Sequence, residues 1–305
     1  MAVTAAMVKE LRERTGAGMM DCKNVLVETD GDMEKAIDLL REKGLAKAAK
    51  KAGRIAAQGL VKLSFAEDGK TASVIEVNSE TDFVAKNPEF VEFVEKCADI
   101  ARTSKAADVE ALKALPFGAE GTVGEVLTAK IAKIGENMSI RRFVRFDRPG
   151  TVYVGYIHNA GQIGVVAGFE TEATLAEIET MGKDVCMQIC SMNPKFVDQS
   201  SVDPEYLESE KQILIQQALN EGKPANIVEK MVVGRLKKEL QEVCLVNQKF
   251  VKDNELTVEQ YVNAKAKELG KSIKVVEMAR FEVGEGIEKK QENFAEEIAK
   301  QIAGK

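Results

Sequence analysis

The sequence contains 305 residues, of which 45% are hydrophobic and 30% charged, and its 43 basic and 49 acidic residues give a formal net charge of −6. A globular protein with more than one module is expected, because a single hydrophobic core stops growing at about 250–300 residues. The acidic balance disfavours direct nucleic-acid binding, and no apolar run approaches the ~20 residues of a membrane span, so no membrane partner is expected.

Residues 1–54 predict a compact, UBA-like module of three helices followed by a linker. Apolar residues recur at helical spacing from residue 3, and Thr15–Gly18 ends the first helix. A second helix is expected from about Asp21, and a third with Gly44 as its stop. Five basic residues between 43 and 54 indicate either a solvated helical linker or a surface for an acidic partner.

From Gly59 the apolar pattern changes to the alternation that is typical of strands. A β-hairpin with its turn at 67–70 is predicted, followed by a helix that begins at Asn87–Pro88 and another over 121–136. Three further strands and a helix are then expected, over 140–146, 151–158, 162–169 and 174–192.

A hairpin followed by a helix therefore occurs twice, about 90 residues apart. This repeat predicts an α+β fold in which two related subdomains with antiparallel sheets share one core. The expected bounds are 55–148 for the first subdomain, and 149–200 together with 243–275 for the second.

A helical hairpin is predicted as an insertion in the second subdomain, over 201–242. Asp203–Pro204 opens its first helix, and Gly222–Pro224 turns the chain into the second. The hairpin either packs within the molecule or serves self-association, and the sequence leaves both open. A strand over 273–283 and a last amphipathic helix are expected to follow, and 276–305 are assigned to a C-terminal module.

Side chains for covalent chemistry are scarce in this sequence. His158 is the only histidine, so Ser-His-Asp, Cys-His and multi-histidine metal sites cannot readily be assembled. The five cysteines are odd in number and mostly far apart, which is typical of buried thiols in a reducing compartment. Phosphate-loop and dinucleotide-binding motifs are absent from the sequence. We therefore expect a cytoplasmic binding protein that is not an enzyme, with no catalytic residue, metal or cofactor.

The loop after the second strand combines an aromatic residue with a carboxylate. It reads Thr81-Asp82-Phe83-Val84 and directly precedes the Pro88 helix. Phe83 either fills the core while Asp82 caps a turn, or projects as an anchor into a pocket of a partner with Asp82 beside it. A hydrolase that used Asp82 would need a second carboxylate placed opposite.

Two stretches of the sequence resemble the signatures of the elongation factor Ts family. They are residues 8–23, which include Thr15-Gly16-Ala17-Gly18-Met19-Met20, and residues 81–87. Further similar segments lie at 132–137 with Arg141 and Arg142, at 158–165, at 222–224, at 229–232 and at 280–288. The resemblance runs from residue 3 to about residue 300.

This resemblance implies a guanine-nucleotide exchange factor for the GTPase elongation factor Tu. Such a factor disturbs the magnesium and phosphate site of the GTPase and promotes GDP release, so that GTP can rebind during translation elongation. The residues that the resemblance places at the magnesium site of the partner are Thr81, Asp82, Phe83 and Val84, with Phe83 as the wedge. Other partner-binding residues that it implies are Arg12, Met19, Met20, Ile134, Gly135 and His158.

Two positions depart from the family pattern, and one other function stays open. Gln162 and Gln188 stand where many members carry Arg and His, which affects the contact region around His158 rather than the Phe83 loop. A ribosome- or ubiquitin-type adaptor would work through the N-terminal helices, so that residues 1–53 alone would bind the target. Exchange activity would instead depend on Phe83, which lies outside those helices.

Overall fold

A computed structural model describes residues 3–288 of the chain. The N-terminal part forms three helices, α1 (Ala5–Thr15), α2 (Met19–Glu28) and α3 (Met33–Ala49). Thr4 accepts a hydrogen bond from the Met7 amide at the start of α1, and Gly16 ends this helix in the left-handed conformation. The three helices surround a small core of Val8, Leu11, Cys22, Val25, Leu26 and Ala36.

Helix α3 corrects the prediction that Gly44 ends it. The helix continues five residues further, to Ala49. Gly44 is buried, and a Cβ at this position would lie 3.7 Å from the Cβ of Ala132. The glycine therefore allows close packing of α3 against the helix that contains Ala132, instead of acting as a helix stop.

The basic stretch over 43–54 is largely engaged within the chain. Lys43 pairs with Glu28 at 2.6 Å and Lys47 with Asp21 at 2.9 Å, which links α3 to α2. Two later members, Lys51 and Arg54, contact the core. Most of these cations therefore make ion pairs or hydrogen bonds within the chain, and an acidic partner is not required to explain them.

The first core subdomain is a three-stranded antiparallel sheet covered by helices. Its strands are β1 (Gln58–Phe65), β2 (Ala72–Ser79) and β3 (Met138–Phe146), in the order β1-β2-β3. Four helices lie between β2 and β3, namely α4 (Asp82–Ala85), α5 (Pro88–Thr103), α6 (Val109–Lys113) and α7 (Val123–Ile134). The apolar stripe of α5, which includes Phe90, Phe93, Val94 and Cys97, forms the centre of this core.

The second core subdomain repeats the arrangement of hairpin and helix. Strands β4 (Thr151–His158) and β5 (Ile163–Thr171) form the hairpin, and α8 (Leu175–Met192) covers it. The remaining elements are β6 (Lys249–Phe250), β7 (Asp253–Thr257), α11 (Val258–Leu269) and β8 (Ile273–Glu282). The predicted repeat of two antiparallel α+β units is confirmed.

The two sheets pack on each other through a shared apolar layer, which includes Val61, Val74, Tyr153, Val166 and Phe281. Strand β8 pairs along its length with β5, in the order β4-β5-β8. The predicted boundary between residues 275 and 276 is therefore wrong, because it falls inside β8 and residues 276–282 belong to the second sheet. The amphipathic helix predicted near the C-terminus lies outside the described residues.

The predicted helical hairpin consists of α9 (Pro204–Asn220) and α10 (Ala225–Val243). The helices pack through a small cluster of Ala218, Val228 and Val232.

In the part of the chain described, the helices are too short or too polar to cross a membrane. All five cysteines are free and buried, as the sequence predicted.

Acidification is expected to weaken the second subdomain through Glu177. Hydrogen bonds from Lys271, and then from Thr174, lower the pKa of Glu177 from 4.5 to about 2. Because the folded-state pKa is depressed, the contribution of Glu177 to stability is present above about pH 4.5 and is lost as the pH falls towards about 2. Urea unfolding at about pH 7 and about pH 3 should therefore show a smaller loss of stability on acidification for Glu177→Gln than for the wild type.

The exposed Glu67, in the turn between β1 and β2, provides the matched control for this experiment. Glu67→Gln should lose as much stability on acidification as the wild type does. An equal acid sensitivity of Glu177→Gln and wild type would contradict the assigned role of Glu177.

Candidate partner-binding site

The Phe83 turn, which we define as residues 81–87, connects β2 to α5. Thr81 has extended backbone angles and caps the single-turn helix α4, because its Oγ1 accepts a hydrogen bond from the Val84 amide at 3.4 Å. Asn87 caps α5 in the same way, since its Oδ1 accepts from the Glu89 amide at 2.9 Å. The turn is thus a short helix bounded by two side-chain caps, and its conformation is defined by local hydrogen bonds.

The side chains of this turn divide into buried and exposed groups. Val84 and Ala85 are buried in the first core. Phe83 is 82% exposed, the largest fraction among the exposed large hydrophobic residues of the described chain. The phenyl ring therefore does not contribute to the core, which removes the first of the two interpretations that the sequence left open.

A negative charge lies next to the exposed ring. Asp82 accepts a hydrogen bond from Lys86 Nζ at 2.6 Å, one helical turn away. This hydrogen bond lowers the pKa of Asp82, and an aspartate is ionised at neutral pH even without such a shift. The surface of the turn consequently presents an apolar ring beside a carboxylate that already has a cationic neighbour.

The end of α7 contacts the Phe83 turn from the side. Glu136 accepts hydrogen bonds from both the backbone amide (3.0 Å) and the hydroxyl (2.7 Å) of Thr81. Gly135, just before it, ends α7 in the left-handed conformation at φ 90°, and its carbonyl accepts a hydrogen bond from Lys51 Nζ at 2.5 Å. Ile134 is half-buried against the first core. The structure therefore brings Ile134 and Gly135 to the same region as Thr81.

Three further residues of interest lie on the N-terminal helices. Arg12 is exposed on α1, and Met19 and Met20, at the start of α2, are 56% and 64% exposed. A groove lies between this module and the core, and it is lined by residues of the α1–α2 connection, of α3 and of α7. The methionines are flexible apolar groups without a place in the small helical core, which is typical of a binding surface.

His158 lies at the end of β4, in the second sheet. It is exposed, and its Nδ1 is 2.9 Å from the hydroxyl of Tyr156. The turn that follows holds Asn159 and Ala160 at φ 48° and 52°, a conformation that is costly for residues with a Cβ. His158 belongs to a second exposed region, on a different sheet from the Phe83 turn.

Comparison with known proteins shows one consistent similarity. The family model described as "Elongation factor TS" matches residues 80–285. An elongation factor Ts of Clostridioides difficile strain 630 is 57% identical over 300 residues, covering 98% of this chain and 99% of the relative. The protein of the same name from Clostridium perfringens strain SM101 is 55% identical, covering 98% of each chain. That of Clostridium kluyveri is 52% identical, covering 99% of this chain and all of the relative.

The chain belongs to the elongation factor Ts family. It is therefore a translation elongation factor, and the predicted family membership is confirmed. The match to the family model begins at Glu80 and so includes the whole Phe83 turn.

The two departures from the elongation factor Ts pattern have structural explanations. Gln188 is fully buried on α8, where its Nε2 donates to Gln248 and to the Lys249 carbonyl and its Oε1 accepts from the Val251 amide. A side chain with these partners holds the β6–β7 segment against α8 and is not available to a partner. Gln162 is half-buried and donates to the Gly59 carbonyl at 3.4 Å, which links the His158 turn to β1.

The sequence did not single out Glu80 and Glu136 as parts of the site in this elongation factor Ts chain. Glu80 directly precedes the segment 81–87, and Glu136 lies within the segment 132–137, but the hydrogen bonds that they make join residues 57 and 55 positions apart. Sequence periodicity reports only near neighbours along the chain. The available signal was the position of Glu136 directly after Gly135, at the end of a helix with a predicted contact role.

Proposed function

We propose that this chain is the cytoplasmic guanine-nucleotide exchange factor of elongation factor Tu, and that it acts by binding without covalent catalysis. The main support is the exposed phenyl ring of Phe83 beside the ionised Asp82, on a turn with a cap at each end. Membership of the elongation factor Ts family supports the choice of partner.

An apolar wedge is sufficient for this function because magnesium sites are sensitive to geometry. Mg²⁺ requires near-octahedral oxygen ligands and bridges the nucleotide phosphates to the GTPase. A ring that enters beside this site displaces the elements that supply the ligands, and the grip on GDP weakens. Phe83 supplies the volume, and Asp82 repels phosphate or competes for cationic groups next to it.

Release of the factor follows from thermodynamic reciprocity. If the bound factor lowers the affinity of the GTPase for nucleotide, then nucleotide lowers the affinity for the factor by the same ratio. Incoming GTP consequently expels the factor and completes the cycle. No acid-base pair, metal or cofactor of the exchange factor itself takes part in this scheme.

The remaining site residues would contact other parts of the partner. Arg12, Met19 and Met20 would contact the nucleotide-binding domain from the N-terminal helices. Ile134 and Gly135 would contact it next to the Phe83 turn, and His158 would reach another domain. Several separate contacts are needed because the wedge itself is a small area, and interfaces that persist bury far more surface than one ring supplies.

The direct test mixes the purified chain with elongation factor Tu loaded with a fluorescent GDP analogue and follows nucleotide release by stopped flow. Release should accelerate with the concentration of the factor and reach a plateau. Excess GDP should dissociate the complex, as reciprocity requires. An unchanged release rate at saturating factor would contradict the proposed function. Binding without acceleration would favour an adaptor that works through the N-terminal helices.

Self-association through the helical hairpin is a separate proposal. The hairpin of α9 and α10 exposes the large apolar side chains Ile213, Leu219, Ile227 and Val233, and exposed apolar groups favour association. Light scattering of the isolated chain should give the mass of a dimer, and Val233→Glu should reduce it to that of a single chain. A wild-type mass equal to one chain at all concentrations would contradict this proposal.

A further inference from the structure

Two turns of the first subdomain are joined by reciprocal hydrogen bonds between carboxylates and backbone amides. Glu136, in the turn after α7, accepts from the Thr81 amide at 3.0 Å. Glu80, in the turn after β2, accepts from the Asn137 amide at 2.5 Å. We call these four residues the clasp. Each turn thus supplies one carboxylate and one amide, and neither can shift without breaking a charge-assisted bond.

The clasp also determines how Thr81 caps the helix that carries Phe83. The hydroxyl of Thr81 donates its proton to Glu136 at 2.7 Å. A hydroxyl has one proton and two lone pairs, so the oxygen then presents a lone pair to the Val84 amide, 3.4 Å away. The carboxylate of Glu136 therefore acts on Phe83 through the orientation of the Thr81 side chain.

The chain that leaves α3 contacts the clasp through one ion pair and two hydrogen bonds to backbone carbonyls. Arg54 lies 3.5 Å from Glu80, and Lys51 donates to the Gly135 carbonyl next to Glu136. The side-chain amide of Asn137 donates to the Arg54 carbonyl at 2.7 Å. The chain that leaves α3 is thereby attached to the same place, and the positive charge of Arg54 lies beside the Glu80 carboxylate.

We propose that Glu136 is a positioning residue for nucleotide exchange, which holds the Phe83 turn in its binding geometry and joins it to Ile134 and Gly135 as one rigid contact unit. This inference rests on the exchange function proposed above. A preorganised anchor avoids the entropy cost of ordering a loop during association. Glu136 therefore acts through Phe83 without contacting the nucleotide or the metal.

The test compares exchange by wild type, Glu136→Ala, Phe83→Ala and the double variant, using fluorescent GDP on elongation factor Tu. Glu136→Ala should lower the maximal rate about tenfold, as expected when a pair of charge-assisted hydrogen bonds is lost. The half-saturating concentration should change less, because the other contacts remain. In the Phe83→Ala background, Glu136→Ala should change the rate by less than about twofold, because the two act in series.

Amide hydrogen exchange of the isolated chain provides a readout that does not depend on the partner. Glu136→Ala should increase deuterium uptake in residues 81–86, while uptake in α5 stays as in the wild type. If Glu136→Ala unfolds, Thr81→Val replaces it, since that variant removes only the hydroxyl bonds. Thr81→Ser restores the hydroxyl and should restore the exchange rate. Glu120→Gln, on a weakly paired carboxylate 3.9 Å from Lys96, is the control and should match the wild type.

The outcomes separate this inference from the proposed function. Additive rate losses for Glu136→Ala and Phe83→Ala would overturn the positioning role, and so would unchanged deuterium uptake in residues 81–86. If Glu136→Ala increases deuterium uptake in residues 81–86 but the wild type does not accelerate GDP release, the clasp is retained as a local restraint. That result would overturn the exchange function on which the positioning role rests.

Discussion

Phe83→Ala is expected to remove most of the acceleration of GDP release and to leave the chain folded. The ring is 82% exposed, so its truncation removes almost no core contact and should change the free energy of unfolding by less than about 0.5 kcal/mol. A central aromatic anchor of an interface contributes about 2–4 kcal/mol, which corresponds to a loss of about 30-fold to 1000-fold. Stopped-flow release of fluorescent GDP measures the first quantity, and urea unfolding measures the second.

Two variants make this result specific to the ring. Val251→Ala truncates another exposed apolar residue, 47% exposed in the β6–β7 turn, and should retain wild-type exchange. Asp82→Ala should lose less activity than Phe83→Ala, because a solvated charge contributes less than an aromatic anchor. Equal losses for Asp82→Ala and Phe83→Ala would contradict this ranking. Wild-type exchange by Phe83→Ala would contradict the wedge mechanism itself.

The orientation of Phe83 illustrates what sequence patterns leave open. Helix α4 contains four residues, which is too short for a helical period to reveal its buried face. Val84 and Ala85 occupy the core instead, because the cap at Thr81 fixes the rotation of the turn. That cap depends on Glu136, 55 residues away. By contrast, α5 and the β4–β5 hairpin were predictable, because their periodicity extends over enough residues.

The errors of the sequence interpretation have a similar origin. Gly44 was expected to end α3, since glycine is frequent just beyond helix ends, but contact with Ala132 on α7 explains it. The boundary at 275/276 divided β8, because the pairing of this strand with β5 joins residues more than 100 positions apart. In both cases a contact with a distant segment of the chain was missed: the strand over 273–283 was itself predicted, but its pairing with β5 was not.

Glu76→Gln is expected to be strongly destabilising. Glu76 is fully buried on β2, and its oxygens accept from Arg141 at 3.0 Å and Arg142 at 2.6 Å. They also accept from the side-chain amide of Asn78 at 3.2 Å and the backbone amide of Gly284 at 2.8 Å. Removing one partner of a buried ion pair typically costs about 3–5 kcal/mol, and we expect the lower end because the two arginines are partly exposed.

The comparison that decides this prediction uses Glu110→Gln. Glu110 pairs with Lys113 at 2.8 Å and is 82% exposed, so its loss should cost at most about 0.5 kcal/mol. Urea midpoints measured side by side give the difference. Similar urea midpoints for Glu76→Gln and Glu110→Gln would contradict the large contribution to stability assigned to Glu76.

Glu76 has this effect because it joins segments that belong to different sheets. Arg141 and Arg142 lie on β3 of the first sheet, whereas Gly284 follows β8 of the second. Gly284 has a φ of 71°, and a Cβ there would lie 2.3 Å from the Ala57 carbonyl oxygen. A residue with a side chain therefore does not fit at this position, and the backbone conformation after β8 is restricted. The clasp at Glu136 shares no hydrogen bond with Glu76. Under conditions in which Glu76→Gln remains folded, its exchange rate should therefore stay within about twofold of the wild type, which would separate the stability of the core from the positioning of Phe83.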